Sequence, residues 1–301
     1  MVQALPAGTV IAAATADQVD RVQDLAQLAF DDLAVRDGRP PEPVDDETRA
    51  FYAATDRYVH QTDPDGFLAA TDSAGVLQGV ARAYLRGSGS AAVWALSLLA
   101  VRPGEQGSGV GSALLRAALD TAPTGCRRVF FASRDARALR AYARSGHLLL
   151  PALRAAGAPD RGGLRRAVSD LDAVRDGDVD RDAERVGLVD QAEDLRLLLA
   201  RGGRFLVTAT GPPAASTVTP DGPPQARVLS AADVGSARRV LAAAAATSAD
   251  EIALPSITAS AQYALDLALE ARLTLGVYGP TVVANMPDAL TALCPPPALF
   301  I

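Results

Sequence analysis

Lysine is missing altogether from this chain of 301 residues, so its 29 basic side chains are all arginines. That absence excludes a lysine Schiff base to pyridoxal phosphate or to a carbonyl substrate. It equally excludes the lysine-bearing phosphate loop of the nucleotide hydrolases. Only two cysteines occur, Cys126 and Cys294, far apart and without a metal-ligand rhythm, so neither a disulfide framework nor a structural zinc site is expected. With only His60 and His147, a histidine-rich metal centre is not expected either, and no metal is assigned. No run approaches the roughly 20 apolar residues of a membrane helix, and residues 1–18 lack the basic start of a secretion signal. A cytoplasmic protein with no membrane partner is the expectation. A cationic stripe is lacking too: the net charge is −6, which argues against a nucleic-acid partner.

What is present is a globular composition, 49% hydrophobic and 21% charged, on a chain long enough for one large domain or two ordinary ones. Residues 9–14 read as a short strand. Asp17 is placed to cap a helix carrying Val22, Leu25, Ala26, Ala29 and Phe30 at helical spacing, and a second helix spans about 47–60. Three strands follow at 66–71, 76–85 and 92–101, joined by short glycine-containing connectors that predict antiparallel neighbours. After a glycine-rich loop comes a helix with Val110, Leu114, Leu115, Ala118 and Leu119 on one face. A strand at 127–133 and a helix capped by Asp135 and ended by Gly146 complete the pattern. The expected class is α+β, each sheet mixed and largely antiparallel and flanked by helices. A similar order recurs from about residue 188, which predicts a domain over 1–150, a linker over 151–185 and a second, diverged copy over 186–301.

The chemistry concentrates in the loop. Gly104, Gly107, Gly109 and Gly111 fall within eight residues between a strand and a helix start, more than a turn requires. Such glycines let the backbone approach a ligand closely, and the unpaired first N–H groups of the helix favour an anion, most often a phosphate. A dinucleotide fingerprint does not fit, because Ser112 stands where its third glycine belongs and the loop follows hairpins. The corresponding segment of the second copy, 231–236, has one glycine and carries Asp233, which would repel an anion.

Gln106-Gly107-Ser108-Gly109-Val110-Gly111 resembles the Gln/Arg-x-x-Gly-x-Gly/Ala signature of the GNAT superfamily of acyl-CoA-dependent N-acyltransferases. Residues 96–103 resemble that family's fourth strand. Asp135-x-x-Ala138-x-x-x-Tyr142-x-x-x-Gly146-His147 resembles its second motif, Asn-x-x-Ala-x-x-x-Tyr-x-x-x-Gly-Phe. The whole chain resembles the tandem arrangement of two GNAT-like domains, the second degenerate. The resemblance implies acetyl-CoA as cosubstrate, its pyrophosphate against the backbone of Gln106, Gly107, Ser108, Gly109, Val110, Gly111 and Ser112, with Asp135 nearby. It further implies a pantetheine arm along Leu99 and Val101. The implied reaction is direct attack by an amine, of a small molecule, with a strand N–H supporting the carbonyl oxygen and Tyr142 as general acid.

The sequence departs from that pattern at Asp135, in place of Asn, and at His147, in place of Phe. No Glu or Asp lies on 91–101, so the base is left open among His60, Asp56, Glu47 and bulk water. The plainer readings are a core position for Tyr142, Trp94, Tyr84 and Cys126, a helix-end cation for His60 and a solvated arginine face on 136–145. That face has a second reading, contact with the cofactor's phosphates. A non-catalytic acyl-CoA-binding or scaffold protein of the same fold is the alternative function.

Overall fold

In the computed structural model, residues 5–89, 92–168, 170–219, 224–247 and 250–286 are described. Cys294 lies outside them. The chain forms two α+β bodies of mostly antiparallel sheet and helix. The first compact unit comprises residues 1–126 and 135–146, and the second comprises 127–134 and 147–301.

The first unit runs β1 (Val10–Ala13), α1 (Ala16–Asp20), α2 (Val22–Arg36), α3 (Asp46–Thr62), β2 (Phe67–Thr71), β3 (Leu77–Arg86), β4 (Val93–Val101), α4 (Val110–Asp120) and, from its later segment, α5 (Ala136–Arg144). β1 through β4 make an antiparallel meander, each strand bonded to the next. The expected strands and helices are thus present within a few residues of their expected limits. The first helix differs in detail. Thr15, not Asp17, is its N-cap, in a reciprocal capping box with Gln18, and the helix breaks at Arg21 into α1 and α2. The apolar positions that set these elements, among them Val22, Leu25, Ala29, Phe67, Leu77, Val80 and Ala100, meet in one buried cluster. α4 turns Val110, Leu114, Leu115 and Ala118 inward, as its spacing predicts.

The second unit contains β5 (Arg127–Phe131), β6 (Leu148–Leu150), β7 (Ala152–Gly157), α6 (Arg161–Ala167), β8 (Val174–Asp176), α7 (Val179–Asp182), α8 (Ala192–Ala200), β9 (Arg204–Thr208), β10 (Ala214–Thr219), β11 (Gln225–Ala231), α9 (Val234–Thr247), β12 (Ile252–Thr258), α10 (Gln262–Glu270), β13 (Thr274–Val277) and β14 (Thr281–Ala284). Its seven-stranded sheet has the order β13-β7-β12-β11-β10-β9-β8. Its other strand group sets β14 between β5 and β6. The late strand β14 therefore joins β5 and β6, while β7, which follows β6 directly, joins β12 and β13.

Residues 151–185 are not the expected linker, because β7, α6, β8 and α7 are built from them. The charge density of 169–185 hid a narrow apolar edge: Val179, Ala183 and Val186, at i, i+4 and i+7, are buried with Leu195, Leu198 and Phe205. The charges themselves are organised. Asp182, 1% exposed, accepts bonds from Arg175 Nη1 and Nη2 at 2.8 and 2.6 Å and from Asp178 N at 2.9 Å. The Arg175 hydrogen bonds hold its carboxyl well below the usual carboxylate range, against the opposing effect of burial. A carboxylate with a depressed native pKa stabilises above its unfolded value, and that contribution is lost as pH falls through the native one. Asp182→Asn is expected to cost roughly 2 kcal/mol at pH 7, between an exposed and a buried pair. Below about pH 4 the gap to wild type should shrink. Urea denaturation at pH 7 and pH 3 checks both; an equal gap at both pH values would remove the ionic explanation.

Candidate functional site

The site forms where β4 hands over to α4. Through that turn Gly104, Gly107 and Gly109 hold φ values of 92°, 91° and 100°, a region closed to most side chains. Gly109 is the N-cap of α4. No side chain caps this helix, and its first turn holds no acidic residue. The first amide to bond back is that of Ala113, to Gly109 O at 3.0 Å. The N–H groups of Val110, Gly111 and Ser112 therefore have no intrahelical acceptor and sit at the positive end of the helix dipole. Gly107 and Ser112 are exposed, and a Cβ built on Gly107 would meet nothing within 4 Å. The outer side of the cradle is open. Val110 contributes backbone alone, since its side chain is fully buried, and Ser108 Oγ turns back to Glu105 O at 2.6 Å.

The remaining sequence-named residues brace this turn. Gln106 donates from Nε2 to Val101 O at 3.0 Å, tying the loop to the end of β4. Its Oε1 accepts from Arg137 Nη2 at 2.6 Å and from Arg36 Nη2 at 3.3 Å. Asp135 caps α5 by accepting from Arg137 N at 2.9 Å, and its carboxylate also pairs with the Arg137 and Arg36 guanidiniums at 3.0 and 3.3 Å. Burial alone would raise the Asp135 pKa. The Arg137 hydrogen bonds and the charges of Arg137 and Arg36 outweigh it, so the pKa is lowered. The negative charge that looks unwelcome in the sequence is thus matched by two cations. Arg137 belongs to the arginine face read from the sequence. Arg36 does not: it lies 99 residues from Asp135, and no local signal pairs them. Leu99 and Val101 are half-buried on β4, opposite Ala81 and Gly79 of β3.

Tyr142, on α5, is 6% exposed. Burial, with a smaller contribution from the Asp135 charge, pushes its phenol pKa up. The hydroxyl is therefore a retained proton at neutral pH. Of the bases named from sequence, Asp56 is excluded. It is fully buried, with one oxygen on Arg82 and the other on Gln23. His60 Nε2 lies 2.9 Å from the carbonyl of Ala14, so that nitrogen carries the hydrogen. Glu47 is exposed in the first turn of α3. Trp94, Tyr84 and Cys126 are core, at 1%, 2% and 1% exposure. His147 is buried edge-to-face against Phe130.

The equivalent position in the second unit is closed. At the start of α9 the Asp233 Oδ1 accepts the Ser236 N–H at 2.7 Å. That bond, first among the causes, lowers the Asp233 pKa. β11 and β12 run parallel and, among the described residues, pair at Gln225 and Ala253, and the cavity they line measures about 10 Å³, room for about one water. Among the described residues no group of His, Cys, Asp and Glu is arranged to hold a metal, and no helix is long and apolar enough to cross a membrane.

Residues 22–147 match the model of the acetyltransferase (GNAT) family. A protein from Pyrococcus horikoshii assigned to the acetyltransferases superposes with a TM-score of 0.65 at 16% identity, over 95% of this chain and 92% of that one. A GCN5-related N-acetyltransferase from Sphaerobacter thermophilus gives 0.56 at 12% identity, covering 94% and 98%. Another from Kribbella flavida gives 0.56 at 16%, covering 94% and 73%. These likenesses establish the fold over nearly the whole chain. No functionally curated protein matches it. The family supports acyl transfer from acyl-CoA to an acceptor.

Proposed function

We propose that the chain is an acetyl-CoA-dependent N-acetyltransferase acting on the amine of a small molecule, with its chemistry in the first unit. The observation that carries this is the uncapped start of α4, with open amides and left-handed glycines, inside the segment that matches the GNAT family model. The residues present fit the cosubstrate. The amides of Val110, Gly111 and Ser112 would hold its pyrophosphate, and Arg36 and Arg137 would offer cations beside it. When bound, it supplies an activated acetyl thioester. The acceptor, as a neutral amine, attacks the carbonyl carbon. The C–N bond forms as the C–S bond breaks, Tyr142 gives its proton to the leaving sulfur, and the amine's surplus proton passes to water. Water fits that last role, since Asp56 is engaged on both oxygens.

The same observation keeps one other reading in play, an acyl-CoA-binding protein without turnover. Titration calorimetry with acetyl-CoA, followed by an amine panel scored for released CoA thiol, tests both. Binding with acetylated product supports the enzyme, binding without release supports the second reading, and no binding removes both. The arginine pair adds an expectation. Each guanidinium is more than a third exposed, and exposed pairs contribute roughly 0.2–1 kcal/mol. The Arg36→Ala, Arg137→Ala double variant should weaken acetyl-CoA binding about 3- to 10-fold at low salt, and less at high salt, where charges are screened. An unchanged Kd at low salt would take the arginines out of the site.

A further inference from the structure

The β3–β4 ladder breaks its register at one place. Arg82 pairs with Leu98 and Ala83 with Leu96, so Ser97 is the extra residue of a bulge in β4. Ser97, Leu98 and Leu99 are half-buried, while Val93 through Leu96 and Ala100 are buried. The bulge is pinned from the side. Ser97 Oγ accepts from Arg82 Nε at 2.8 Å and donates to Arg82 O at 3.1 Å, bonding both the side chain and the backbone of the residue facing it. Arg82 Nη1 in turn bonds Asp56 Oδ1, and Asp56 Oδ2 receives Gln23 Nε2. Gln23 on α2, Asp56 on α3, Arg82 on β3 and Ser97 on β4 form one continuous chain. Its ionic centre is nearly dry: the Arg82 and Asp56 side chains are 7% and 0% exposed.

A buried ion pair is a poor way to gain stability, because apolar side chains of similar volume often do as well or better. What it supplies here is geometry, since both partners are fixed by directional bonds and the chain ends on the bulged residue. We infer that Gln23, Asp56 and Arg82 are positioning residues that act through Ser97. They hold the bulge so that the backbone N–H of Ser97, the residue without a partner across the β3–β4 ladder, stays aimed at the carbonyl oxygen that gains charge in acyl transfer. This inference rests on the acetyl-CoA reading above. Such donors act through preorganisation, so a small loss of alignment matters more to the reaction than to binding.

The test uses the full chain and acetyl-CoA labelled with ¹³C at the thioester carbonyl, whose infrared stretch reports hydrogen bonding to that oxygen directly. In wild type the bound band should lie below its position in free acetyl-CoA. In Ser97→Ala it should return at least halfway to the free position while Kd changes by no more than about twofold. Ser97→Thr, which keeps the hydroxyl, should restore the band. Turnover in Ser97→Ala should fall roughly 10- to 100-fold in kcat with little change in KM, short of the ~10²–10³ lost when a donor is removed outright. Asp56→Asn should move the band the same way, and Ser97→Ala keeps the test decisive if that variant fails to fold. A wild-type protein that does not bind acetyl-CoA overturns the functional reading and this inference with it. Binding with a band that Ser97→Ala leaves in place overturns the inference alone.

Discussion

Gly109→Glu is expected to raise the Kd for acetyl-CoA by about 100-fold or more, and three effects at one residue add up to it. Gly109 holds φ at 100°, and forcing a side chain into the left-handed region costs roughly 1–2 kcal/mol. The loop can escape that strain by shifting, and the shift withdraws the amides of Val110, Gly111 and Ser112. The new carboxylate also lands at the N-cap of α4, where no side chain now sits. There it satisfies the N–H groups that a pyrophosphate would need and repels the incoming anion. At 1.4 kcal/mol per tenfold, about 3 kcal/mol corresponds to the stated loss. The second unit already displays this end state, since the carboxylate of Asp233 bonds the Ser236 amide at the start of α9. Calorimetry on the variant, with its melting temperature measured alongside, separates lost binding from lost folding. A folded Gly109→Glu protein that binds acetyl-CoA as tightly as wild type would mean that the cradle is not the cosubstrate site.

Tyr142→Phe is expected to lower kcat by 10²–10⁴, the range for loss of a positioned general acid, while leaving the acetyl-CoA Kd nearly unchanged. Burial, then the Asp135 charge, raises the phenol's pKa, so it stays protonated although it is a weaker acid than a free tyrosine. A raised pKa keeps the acid protonated across the working range, so its titration should produce no falling limb below about pH 10. The rising limb of the pH–rate profile should instead follow deprotonation of the acceptor amine and move when the amine is changed. Turnover unaffected by Tyr142→Phe would strip Tyr142 of the acid role and leave it a core aromatic.

The glycine turn and the α5 motif of the candidate site are legible because their signals are local. Four glycines at the junction of a strand and a helix, and a tyrosine seven residues beyond a capping aspartate, are short patterns that survive without a partner's help. Elements set by distant partners were not legible. β10 is small and buried along its whole length, so it shows no alternation and reads as a connector between prolines. The buried edge of 179–186 includes an alanine and sits among charges, too weak an amphipathic signal beside them. The exchange of β7 and β14 depends on which edges are free, and spacing carries no record of that. The Asp56–Arg82 pair spans 26 residues, so Asp56 looked like a free carboxylate and a candidate base. A side chain's availability is a property of its partners, and those become visible only in the fold.

The central claim is that the first unit, through the start of α4, holds acetyl-CoA, and that the second does not. Hydrogen–deuterium exchange with and without acetyl-CoA tests it at the amides themselves. Peptides covering residues 106–114 should become protected on addition of acetyl-CoA, while those covering residues 231–240 should exchange at the same rate in both samples. Protection at 231–240 with none at 106–114, or none in either segment, would contradict it.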